Sequence, residues 1–97
     1  MRLVSVKPSD DFFHKYTALV IDDNNREHHI RFGSKGMSDF THNKDIKRRE
    51  LYDIRHQKRE DWTSSGRLTA GFWAKHLLWG NSTSLEKNIA EVRRKYF

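Results

Sequence analysis

The hydrophobic period of this chain changes once, at Gly33-Ser34-Lys35-Gly36. Before that turn apolar residues alternate in twos, the period of strands, and after it they recur every three or four positions, the period of helices. A chain that switches period in this way cannot be all-α or all-β, and strands followed by helices read as α+β. Arg2–Lys7 alternates Leu3 and Ser5 against Val4 and Val6, and the sole proline, Pro8, closes it. Tyr16–Ile21 is β-branched and apolar, His28–Phe32 sets His28, Ile30 and Phe32 on one side of the pleat, and the polar run Asp22–Glu27 joins them as a hairpin with a loop longer than two residues. Strands are therefore expected at about 2–7, 15–21 and 28–32.

Beyond Gly36 neither Gly nor Pro occurs until Gly66, and Asp39–Asn43 leads into a helix expected over 44–59. Trp62–Leu68 reads as a loop. Thr69 offers an N-cap for a helix over 70–79, where Ala70, Trp73, Ala74 and Leu77 fall at helical spacing and Phe72 and Leu78 widen the apolar surface. This is the expected core helix, and Gly80 stops it. Thr83 and Glu86 have capping-box spacing before a last helix over 84–96, striped by Leu85, Ile89, Val92 and Tyr96. The expected architecture is a single compact α+β domain over 1–97: a small antiparallel sheet, made of the hairpin and the N-terminal strand, followed by three helices. No repeat or linker interrupts it.

Composition limits what this domain can be. With 35% hydrophobic and 33% charged residues in 97, the core is modest; a chain this size buries only about 60–65% of its unfolded surface, so its stability leans on partners. The absence of cysteine excludes disulfides, thiolate nucleophiles and cysteine-ligated metal centres, and it points to a reducing compartment. No apolar run approaches the ~20 residues of a membrane span, and Met1–Lys7 is too short and polar for a signal peptide. A soluble, intracellular protein with no membrane partner is expected. Three Trp and an aromatic content of 12% argue against disorder.

The net charge of +6 is unevenly placed. Residues 1–43 hold six Lys/Arg and six Asp/Glu, residues 44–61 hold seven against five, and residues 62–97 hold six against two. A basic half beside a neutral one suggests one face turned toward an anionic partner, usually nucleic acid. On a helical wheel Lys44, Lys47, Arg48, Arg55, Lys58 and Arg59 fall within roughly one third of the circumference, opposite Asp45, Glu50, Asp53 and Glu60. Leu51 and Tyr52 adjoin that sector. Guanidinium forks bind phosphate oxygens and an aromatic ring can stack on a base or sugar, so this face is a candidate nucleic-acid surface, with Arg93, Arg94 and Lys95 as further cations. The structural alternative is that cationic stems snorkel over a half-buried Leu51, Tyr52 and Ile54. Lys35, between Gly33 and Gly36, could add charge to a phosphate-cradling turn, although a strand-terminating turn explains both glycines and the spacing is not that of a P-loop.

Six histidines raise the question of metal or acid–base chemistry. His28 and His29 are adjacent on a strand and point to opposite faces, so they cannot chelate together. His56 and Glu60 share a helix face, and with His42 they define a conceivable divalent-metal site, but no H-E-x-x-H or comparable signature accompanies them. A hairpin followed by a helix is similar to the ββα-metal nucleases; Asp22 and Asp23 stand where such a site needs histidine. No cofactor and no metal are expected. Phe72 and Trp73 are expected in the core, whereas Trp62 and Trp79 are candidates for a partner interface together with Arg93 and Arg94. Asn81-Ser82-Thr83 matches a glycosylation acceptor and is read as a helix-capping turn.

The segments Gly33-Ser34-Lys35-Gly36-Met37-Ser38-Asp39-Phe40-Thr41, Lys44-Asp45, Arg55-His56, Glu60-Asp61-Trp62 and Thr69-Ala70-Gly71-Phe72-Trp73-Ala74-Lys75-His76-Leu77-Leu78-Trp79 carry a resemblance. They resemble a group of short, mostly uncharacterised proteins encoded by large double-stranded DNA viruses of protists and algae, in order and over roughly Tyr16–Tyr96. The phrase around Gly71-Phe72-Trp73 is its most specific part. Asn43 departs from it, since the family places His there, which weakens a metal site on that loop. The resemblance implies no activity. It implies a virus-encoded protein of the host-cell cytoplasm or nucleus, or of the virion interior. Three functions follow as expectations. The first is non-catalytic binding of nucleic acid, DNA or RNA, through Lys35, Lys44, Lys47, Arg48, Tyr52, Arg55, Lys58 and Arg59; the second is assembly onto a larger, acidic viral protein; the third is a metal-dependent nuclease. The oligomeric state is left open, a homo-oligomer included.

Overall fold

In the computed structural model, which describes residues 1–97, strands β1 (Arg2–Pro8), β2 (His14–Ile21) and β3 (Glu27–Ser34) form an antiparallel sheet in the order β1-β2-β3. The hairpin loop is held by Asp22, whose Oδ1 accepts from the backbone N–H groups of Asn24 and Arg26, and by Asn25 in the left-handed region at φ 63°. Strict alternation holds in β2 and β3, which bury Ala18, Val20, Ile30 and Phe32 on one face. It fails in β1. There a bulge carries the register from Leu3↔Val20 to Ser5↔Leu19, so Leu3 and Val6 both pack on the core and Val4 is turned outward.

Helices cover that face. Helix α3 (Ala70–Trp73) begins on the expected Thr69 cap, whose Oγ1 accepts from Phe72 N–H, and continues as a π-turn over Ala74–Leu78, closed by Trp79 N–H to the Ala74 carbonyl at 3.1 Å. Phe72, Trp73, Leu77 and Leu78 are buried against the sheet, as the helical spacing predicts. The last helix, α4 (Leu85–Tyr96), packs its Leu85, Ile89, Val92 and Tyr96 stripe on the same core. Its cap is Ser84, whose side chain accepts from Lys87 N–H, and not Thr83. Buried Asn88 ties α4 to the preceding turn, donating to the carbonyls of Leu77 and Ser82 and accepting from Ser82 N–H.

The helix expected over 44–59 forms only over Ile46–His56, and a separate single turn precedes it. A single turn, α1 (Phe40–Asn43), is capped by Asp39, and α2 (Ile46–His56) is capped by Asp45, whose Oδ1 accepts from Lys47 and Arg48 N–H. Lys44 lies between them in the left-handed conformation at φ 55°, and after His56 the chain turns. Two short acidic side chains serving as caps within seven residues explain the break. Loop 57–69 contains one 3₁₀ turn, Ser64–Gly66. The radius of gyration, 12.8 Å, matches the roughly 13 Å of a 100-residue globule, in keeping with a single α+β domain.

Candidate functional site

A cleft of about 430 Å³ opens between the end of the sheet and α2, with the α3 side of the helical layer as its floor. Gly33 shapes the sheet wall. Its φ of +75° suits glycine, and a Cβ there would lie 2.7 Å from a Leu78 methyl, so the strand end and the core helix approach as closely as they do only without a side chain. The wall of α2 contributes Arg48, Tyr52, Arg55 and His56, and the sheet contributes His14, Lys15 and Arg31.

The cations in the cleft differ in what they already hold. Lys15 Nζ binds Asp39 Oδ2 at 2.5 Å with both side chains largely buried, so its charge is compensated. Arg31 is half-exposed and sits 3.6 Å from Asp10, an exposed pair of small worth. Arg48 and Arg55 are exposed, line the same cleft and engage other residues only through their backbones: the Arg48 N–H donates to the Asp45 cap, and the Arg55 carbonyl accepts from Arg59. Two guanidinium groups thus reach an open cleft without pairing to a carboxylate.

The remaining cations foreseen from the sequence go elsewhere. Lys44 is not on α2, Lys47 lies on it outside the cleft, and Lys58 and Arg59 lie in the turn that follows. The six cations therefore do not share one helix face, because the helix that would carry them is shorter at both ends. Lys35 donates to the Asp11 carbonyl beside a neighbouring hollow. Arg93 reaches the Val4 carbonyl from α4 and Lys95 pairs with Glu91, away from the cleft.

Tyr52 lines the cleft but its ring is committed. Trp79 stacks on it at 4.7 Å and His56 at 4.1 Å, both nearly parallel, and two rings that close cannot share one face of a third. Burial, with Glu60 and Asp53 nearby, pushes the Tyr52 hydroxyl well above its ordinary range, so it stays neutral. Trp62 and Trp79 are half-buried in this stack. Trp62 Nε1 donates to Glu60, and Lys75, bound to Asp53 at 2.7 Å, lies over its ring.

Two histidine–carboxylate pairs flank the cleft. His56 Nδ1 meets Glu60 Oε2 at 3.1 Å, a pair the i,i+4 spacing predicts, and His14 Nδ1 meets Asp11 Oδ2 at 2.5 Å. The hydrogen bond from His14 is the main reason the Asp11 carboxyl is held down at about 2. His42 does not line the cleft with His56 and Glu60, and nowhere do three His, Asp or Glu side chains gather as a metal site. No motif or period in the sequence marks His14, Lys15 or Arg31. His14 and Lys15 begin β2 and Arg31 lies within β3, positions that do not say what they face.

Residues 4–56 match a family of unknown function, DUF5754. The chain belongs to that family. No curated protein and no solved structure matches it. The DUF5754 match takes in β2, β3, all of β1 but Arg2 and Leu3, α1 and α2, and hence both walls that carry the cleft's cations, and it ends at His56. Glu60 and the Gly71-Phe72-Trp73 segment lie outside it.

Proposed function

We propose that this chain binds nucleic acid by its phosphates, in the cleft between the sheet end and α2. One observation carries the reading: Arg48 and Arg55 face one cleft and neither guanidinium has a protein partner. Their α-carbons are about 10 Å apart along α2 at 1.5 Å per residue, a spacing that suits two phosphates of a polymer better than one free phosphate. The net charge of +6 adds long-range attraction for a polyanion. We place this protein, on the resemblance, among virus-encoded proteins acting in the host cytoplasm or nucleus or in the virion. A second reading, assembly onto a larger protein, draws support from Phe12 and Phe13, 83% and 72% exposed in the β1–β2 loop, more than from Trp62 and Trp79.

Fluorescence anisotropy with labelled single-stranded and duplex DNA and RNA, at low and physiological salt, tests the first reading. Binding is expected to weaken with salt and to fall at least tenfold in an Arg48→Glu/Arg55→Glu variant, while Lys44→Glu/Lys47→Glu, with the same charge change, costs much less. Absence of binding at low salt, or equal losses in both variants, would overturn it.

A further inference from the structure

The cleft holds two of the six histidines, on different walls: His14 at the start of β2 and His56 at the end of α2. Each ring gives its Nδ1 to a carboxylate, Asp11 or Glu60, which leaves each Nε2 without a protein partner. The second pair is built from several sides. Glu60 Oε1 accepts from Trp62 Nε1 at 2.9 Å while Oε2 holds His56, and Tyr52 stacks on the imidazole. Gly71 makes the room, for a Cβ there would lie 2.8 Å from the Glu60 carboxyl carbon. His28, on β3, pairs instead through its Nε2 with Asp22 and does not line this cleft. Only His14 and His56 combine an oriented ring with unpartnered guanidinium groups in the same cavity.

We infer that the cleft cleaves RNA by acid–base transesterification, with His14 and His56 as the proton-transfer pair. The inference rests on the phosphate-binding reading of the same cleft. The ribose 2′-oxygen attacks the adjacent phosphorus as the neutral imidazole removes the 2′-hydroxyl proton; the bond from phosphorus to the 5′-oxygen breaks as the protonated imidazole delivers a proton to that oxygen. The products are a 2′,3′-cyclic phosphate and a 5′-hydroxyl. No oxidant or other co-reactant enters the balance. Arg48 and Arg55 stabilise the charge that grows on the phosphoryl oxygens. DNA, which lacks the nucleophile, is bound and left intact.

The test uses the full chain with end-labelled single-stranded RNA in the presence of EDTA, beside an all-deoxy oligonucleotide of the same sequence followed by anisotropy. Fragments ending in 2′,3′-cyclic phosphate are expected, with rates reduced about a hundredfold or more in His14→Ala and in His56→Gln. Thermal melting of both variants within a few degrees of wild type shows that they remain folded. RNA bound but uncut, or cut equally by wild type and both variants, overturns the inference and leaves the binding reading standing. Failure to bind either polymer overturns both.

Discussion

Arg48 and Arg49 are neighbours on one helix and have opposite roles. Arg49 turns inward, where its guanidinium donates to the Trp79 carbonyl and, at 2.7 Å, to Asn81 Oδ1, and lies over the Phe40 ring. Arg48 turns into the cleft and its guanidinium holds nothing. The same contrast separates Lys75, bound to Asp53 and the Trp79 carbonyl, from Arg55. Positive charge by itself therefore does not mark a binding surface in this protein. In the binding function proposed above, what marks the surface is charge that the fold leaves unpaired, since a guanidinium already bonded to protein must break those bonds to take a ligand.

Stability should sort the two neighbours first. Arg49→Ala removes bonds that tie α2 to the chain around Trp79 and Asn81, and it should cost about 1 kcal/mol in chemical denaturation. Arg48→Ala should fall within about 0.5 kcal/mol of wild type. Equal losses would erase the distinction. A smaller effect concerns the floor behind α2. Burial lowers the His76 pKa below its ordinary value of 6.5, against the opposing effect of its hydrogen bond to the Trp62 carbonyl, and Lys75 and Lys95 lower it further. The folded state thus prefers neutral His76. Its contribution is intact above about pH 6.5 and declines as pH falls below that value, because the unfolded chain takes up the proton first. A His76→Gln variant should show a flatter stability profile between pH 7 and 5; a profile identical to wild type would contradict this.

Much of this architecture is legible in the residues. The alternation in β2 and β3, the Asp22 loop, the Thr69 cap and the four-residue stripe on α4 all follow from local pattern, because each is decided by a period or by a side chain bonding to nearby backbone. The errors arise where two local signals compete. Asp39 and Asp45 are both good caps, so a separate turn forms ahead of the helix expected over 44–59, which starts only at Ile46 and ends at His56; the β1 bulge reverses a parity that alternation cannot reverse. The cleft is legible only in part. Arg48, Tyr52, Arg55 and the His56–Glu60 spacing come from one helix, whereas Lys15 and Asp39 are 24 positions apart and meet only because β2 passes beside the α1 cap. Contacts across that separation leave no periodic trace.

The most direct test is a side-chain NMR titration. With ¹⁵N-labelled protein and a short uncleavable deoxy-oligonucleotide at low salt, the Nε–Hε signals of Arg48 and Arg55 should move together and saturate, while that of Arg49 stays in place. Movement of Arg49 to the same extent, or shifts confined to Arg93 and Arg94 on α4, would contradict the assignment of the cleft as the phosphate-binding site.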